Sequence, residues 1–134
     1  MNDQELIDLA RAARKSAYCP YSHMAVGAAL LAASGKVYLG ANIENASFTP
    51  TVCAERVAFF RAIMDGERKF VRIAVVGGTE GEEPLRAFPP CGVCRQVMSE
   101  FCESDFEILI ASRDSYVRTT LDEILPLRFS ERYF

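Results

Sequence analysis

The chain of 134 residues has little that would take it to a membrane or to a nucleic acid. No apolar run approaches the roughly 18–20 residues that a membrane-spanning helix requires. Lysine and arginine number 15 against 18 aspartates and glutamates, giving a formal net charge of −3, and the basic residues are scattered. A duplex-binding protein needs a basic face to neutralise phosphates, so no nucleic-acid partner is expected. The start, Met1-Asn2-Asp3-Gln4-Glu5, is acidic where a secretory leader would be basic and then apolar, which implies a cytoplasmic location. Internal repeats, low-complexity tracts and linkers are all missing. Residues 1–134 are therefore expected to form one domain, long enough to bury a real core. Histidine is nearly absent, and the single His23 has no ligand-like spacing to any cysteine.

Cysteine, in contrast, occurs five times. An odd count with no leader suits metal or catalytic use better than a disulfide frame. Cys19 and Cys102 lie in apolar surroundings and read as packed thiols. The other three fall in two segments, Cys53-Ala54-Glu55-Arg56 and Pro90-Cys91-Gly92-Val93-Cys94-Arg95-Gln96.

Periodicity predicts an amphipathic helix over 4–16, capped by Asn2 or Asp3 and ended by Pro20. A buried strand over 24–32, a turn at Ser34-Gly35-Lys36 and a partner strand over 37–43 make a hairpin. A polar loop over 42–50 leads to a helix reaching Met64, with Thr51 as N-cap and Ala54, Val57, Ala58 and Ile63 packed inward. A β-branched strand over 70–76 ends in Gly77-Gly78, and an acidic loop over 79–88 follows. The pattern closes with a helix over 92–101, strands over 106–111 and 115–119, and a brief capped helix over 120–125. Strands separated by helices predict an α/β fold, a three-layer α/β/α sandwich around a mixed five-stranded sheet.

Cys91 and Cys94 are three apart at a predicted helix start, and Cys53 opens the other helix, so two helix N-termini converge on one point. Their dipole ends stabilise thiolates, the form of cysteine that binds zinc. Three thiolates leave a tetrahedral Zn²⁺ with one position free for water, and Glu55 stands two residues from the first of them. A carboxylate beside such a water is the minimum kit for metal-assisted hydrolysis. Arg56 is placed to offset the negative charge of the trio. The competing reading is a structural site closed by a fourth ligand, but His23, Cys19 and Cys102 lack the spacing, and it gives Glu55 no task.

Cys-Ala-Glu-Arg followed by Pro-Cys-Gly-x-Cys-Arg-Gln resembles the signature of the small zinc-dependent cytidine deaminases. The resemblance extends to Tyr18-Cys19-Pro20-Tyr21-Ser22-His23, Val26-Gly27-Ala28-Ala29-Leu30, Asn42-Ile43-Glu44-Asn45-Ala46 and Leu125-Pro126, all in family order. It implies hydrolysis of cytidine and 2′-deoxycytidine to uridine and 2′-deoxyuridine plus ammonia, in pyrimidine salvage. Cys53, Cys91 and Cys94 would hold one zinc per subunit, Glu55 would shuttle the protons, and Arg56 would bond the thiolates. The Ala54 backbone would hold the base edge, while Asn42 and Glu44 would bind the ribose 3′-hydroxyl. Met24 stands where the family usually has the phenylalanine that packs beside the base. Phe129 matches the residue that caps a neighbouring subunit's pocket in a homotetramer. The related alternative is a deaminase of a cytosine-nucleoside antibiotic or analogue, against which the Asn-x-Glu ribose pair argues. A zinc-stabilised binding module is the rival outside catalysis, and polynucleotide editing is disfavoured by the acidic charge.

Overall fold

A computed structural model describes every residue, Met1–Phe134. Its spine is strand β1 (Met24–Ala32), whose small apolar residues are all buried except Met24. Beside it, joined by a turn with Gly35 at φ 95°, runs the antiparallel strand β2 (Val37–Ala41). On its other side β1 pairs antiparallel with β3 (Phe70–Thr79). Strand β3 lies parallel to β4 (Glu107–Ala111), which pairs antiparallel with β5 (Tyr116–Thr120). The order is β2-β1-β3-β4-β5, the mixed five-stranded sheet expected. A parallel pair needs a crossover, and helix α3 (Gly92–Phe101) lies on the connection from β3 to β4.

Alternation of side chains divides the core. One face of the sheet (Val26, Ala28, Leu30, Ile73, Val75, Ile108 and Ile110) packs with Ala54, Ala58 and Phe59 of helix α2 (Ala54–Met64) and with Met98 of α3. The other face (Ala29, Leu31, Ala74, Val76 and Leu109) is covered by Leu6, Ile7 and Ala10 of helix α1 (Asp3–Ala13). Two glycines set the spacing of these layers. A Cβ on Gly27 would overlap Ala10 O of α1, and one on Gly40 would overlap Ala54 O of α2. No helix is long and apolar enough to cross a membrane.

Several boundaries differ from the sequence expectation. Asn2 caps α1 in a reciprocal box with Glu5, and the α-helix gives way to a 3₁₀ turn at Arg14–Ser16 well before Pro20. Strand β2 stops at Ala41 because Asn42 turns its side chain into the strand β1 backbone instead. The N-cap of α2 is Cys53, not Thr51, whose hydroxyl accepts from Asn45 N at 3.0 Å. The buried face of α2 is Ala54, Glu55, Ala58, Phe59 and Ala62, with Val57 and Ile63 half-buried. Strand β3 continues through Gly77 and Gly78 to Thr79, since pairing with β1 is a backbone matter that needs no side chain. Helix α4 (Leu121–Ile124) is capped by Thr120, as the sequence suggests.

Candidate active site

Cys53 and Cys91 are the N-cap residues of α2 and α3, and neither side chain bonds its own helix end. Both thiols are free to meet. Sγ of Cys53 lies 3.7 Å from Sγ of Cys91, which lies 3.6 Å from Sγ of Cys94. These separations are far beyond a disulfide bond. They match the roughly 3.8 Å between ligands that tetrahedral zinc imposes with Zn–S bonds of about 2.3 Å. All three sulfurs lie within 4.8 Å of one another, so the donor set fits one zinc ion. Arg56 Nη2 donates to Cys53 Sγ at 3.4 Å, while its Nε is buried with no hydrogen-bond partner. Hydrogen bonds from Cys94 and Arg56 hold the Cys53 thiol well below its ordinary range, so charge on this trio is favoured even before a dication arrives.

Glu55 occupies the first turn of α2 and is buried at 3% exposure. Burial, reinforced by the negative charge of Cys53, pushes its carboxyl up to about 7. A carboxyl balanced near neutrality can both accept and return a proton. A buried, perturbed carboxyl beside a metal-fitting trio marks a candidate functional site.

The rim is built from the polar loop. Asn42, at the start of the polar loop, is buried; its Oδ1 accepts from Val26 N at 2.9 Å and its Nδ2 donates to Met24 O at 2.8 Å. Glu44 accepts from Tyr21 N at 2.9 Å, from Ser22 N at 3.2 Å and from the Ser22 hydroxyl. These contacts hold its carboxyl below the usual range, with the Ser22 hydroxyl the largest cause. Met24 shares the wall of a cavity of about 670 Å³ with Gly77, Thr79 and Phe88, a cavity that neither Glu55 nor any of the three cysteines lines. Ala54, at the first position of α2, is fully buried. Phe129 is exposed, its ring against Tyr133 and Phe134 and its carbonyl accepting from Gln96 Nε2 at 3.0 Å.

Four further residues were given no role from sequence, although Ser22, Arg95 and Gln96 lie in the quoted motifs. Ser22 anchors Glu44, and Arg95 donates to Pro90 O and to Ile124 O, each at 2.8 Å, bracing the turn before Cys91. Gln96 holds the segment carrying Phe129. Arg14 is buried, bonded to three main-chain carbonyls. It lies two helical turns beyond Ile7, just past the end of α1, where periodicity calls for an apolar side chain, but its three partners are distant in the chain.

The family model for the "Cytidine and deoxycytidylate deaminase zinc-binding region" matches residues 1–110. The chain belongs to this family. A cytidine deaminase of Sporosarcina psychrophila is 46% identical over 98% of the chain and 93% of its own length. One from Halalkalibacterium halodurans is 47% identical over 97% and 96%. The crystal structure of cytidine deaminase from Burkholderia pseudomallei superposes with a TM-score of 0.88 at 43% identity, covering 96% of this chain and all of the other. Family membership and the fitted sulfur trio together give a zinc-binding deaminase.

Proposed function

We propose that the chain hydrolyses cytidine and 2′-deoxycytidine to uridine and 2′-deoxyuridine with release of ammonia, serving pyrimidine salvage in the cytoplasm. The observation that carries this reading is Glu55, buried beside three sulfurs spaced for zinc. Residues 1–134 act as one catalytic domain. Cys53, Cys91 and Cys94 hold the zinc, which when bound supplies the Lewis acidity that makes water a nucleophile near neutral pH. Glu55 takes the proton of that water and delivers it to N3 of the ring as the C4–O bond forms. It then carries the remaining hydroxyl proton to the amino group, the C4–N bond breaks, and ammonia leaves. Arg56 keeps Cys53 in its charged form. The Ala54 backbone holds the base edge and Met24 packs beside the ring. Asn42 and Glu44 meet the ribose: Asn42 Nδ2 uses one proton on Met24 O, leaving the second to donate.

The enzyme works as a homotetramer in which Phe129 closes a neighbouring subunit's site. Support comes from the openness of the site in one chain, where Cys91 is exposed, and from exposed apolar side chains at Phe48, Phe60, Met64, Leu127, Phe129 and Phe134.

The test is Glu55→Gln, isosteric and unable to move a proton. It is expected to bind zinc as the wild type does and to lose at least about a hundredfold in kcat for cytidine. Turnover near wild type would overturn the mechanism. Cytidine should also be deaminated far faster than 3′-deoxycytidine; equal rates would point to a substrate without ribose.

A further inference from the structure

The geometry points to Arg14 as a positioning residue of the active site, an inference that rests on the deaminase reading above. Arg14 is 9% exposed, and its guanidinium donates from Nε to Ala25 O at 2.9 Å, from Nη1 to Glu82 O at 3.0 Å and from Nη2 to Thr79 O at 3.0 Å. All three acceptors are main-chain carbonyls. Burying a guanidinium is costly, and only a fully hydrogen-bonded fork makes it tolerable.

The three carbonyls belong to two segments that the site needs. Ala25 lies between Met24 and Val26, whose carbonyl and amide are gripped from the other side by Asn42. Thr79 pairs with Met24 across β1 and β3, and Thr79 and Glu82 bracket the turn that opens the loop to Cys91. The same joint is closed by Glu80 N donating to His23 O at 2.8 Å and by Cys19 Sγ against Glu80 Oε2 at 3.1 Å. Further along the loop Phe88 is seated on Gly77, so close that a Cβ there would lie 2.6 Å from its ring. One planar cation therefore fixes the end of β1 that carries Met24 and the start of the loop that shares a cavity wall with it. Asn42 and Glu44 hold the same strand end and its lead-in from the ribose side. A lysine ammonium is a point charge and does not present this fork to three carbonyls.

The zinc ligands and Glu55 are held by α2 and α3, while Arg14 bonds to β1, the end of β3 and the segment after it. Loosening the clamp should weaken substrate and transition state alike, which raises KM and spares kcat. The experiment uses the full zinc-loaded chain with Arg14→Gln and Arg14→Lys, checking zinc content and circular dichroism first. Both variants should raise KM for cytidine about tenfold with kcat within about threefold. Amide exchange over residues 19–26 and 79–88 should accelerate about tenfold while α2 and β4 exchange as in the wild type. Wild-type KM, a fall in kcat matching the rise in KM, unchanged exchange in these segments, or failure of both variants to fold would each overturn the inference. A wild-type protein that leaves cytidine untouched would instead sink the functional reading, and exchange alone would then decide whether Arg14 is the clamp.

Discussion

Two buried groups of similar accessibility, Glu55 and Cys19, are both pushed toward their neutral forms, and their surroundings explain why only Glu55 stays within reach of ionisation near neutral pH. Glu55 stands beside a helix N-terminus and a cationic Arg56, which keep its carboxyl within reach of ionisation despite burial. Cys19 faces the carboxylate of Glu80. Burial, then that hydrogen bond and charge, pushes its thiol up to about 11. The folded value lies above the unfolded one, so the neutral thiol is the stabilised form. Its contribution is complete below the ordinary thiol value and is lost as pH rises through about 11. At pH 8 the thiolate fraction of Cys19 is about one in a thousand. Iodoacetamide at pH 8 should therefore leave Cys19 unlabelled in the folded zinc-loaded protein and modify it quickly in urea. Equal labelling rates in the two states, read by peptide mass, would show that neither burial nor the Glu80 contact protects this thiol.

At the scale of elements, the site is two helix starts brought to one face of a sheet, and the device that allows it is a missing side chain. Gly40 of β2 lets the first turn of α2 approach until a Cβ would overlap Ala54 O and lie 2.6 Å from Ala58 N. Both are backbone atoms of the helix that carries Cys53 and Glu55, so nothing flexible can yield. Gly40→Ala should destabilise the fold by about 3 kcal/mol and displace Cys53, weakening zinc retention against a chelator. Unchanged denaturation and unchanged zinc loss would refute this account. The elements themselves were largely legible, because β1 is a continuous small-apolar run and α3 starts immediately beyond Pro89-Pro90 and Cys91. The cysteine trio was legible from spacing alone. What sequence hid was tertiary: Cys53 caps α2 while Thr51 is drawn to Asn45, and Asn42 is buried because β1 offers its backbone to it. Local propensity cannot see partners that are distant in the chain, and Arg14 with its three carbonyls is the fullest instance.

At the scale of the whole molecule, the chain alone leaves its site open. Cys91 is exposed, and Phe129 stands outward on a segment pinned by Gln96, stacked with Tyr133 and edge-on to Phe134. If a neighbouring copy supplies the closing ring, Glu55 and the Phe129 that serves it belong to different chains. Two damaged proteins should then repair each other. Glu55→Gln lacks the proton carrier but keeps the ring; Phe129→Ala keeps the carrier and lacks the ring. Dissociated, mixed in equal amounts and reassembled, half of all sites contain Glu55, and half of those meet a neighbour with Phe129. About a quarter of wild-type activity at low cytidine should appear, with wild-type KM, from parents that each show far less. Sedimentation should place the assembly at about four times the 14.9 kDa chain mass. Should Phe129 instead pack within its own chain, no mixture can form an intact site. Its KM would stay that of Phe129→Ala, and the shared-site arrangement would be wrong.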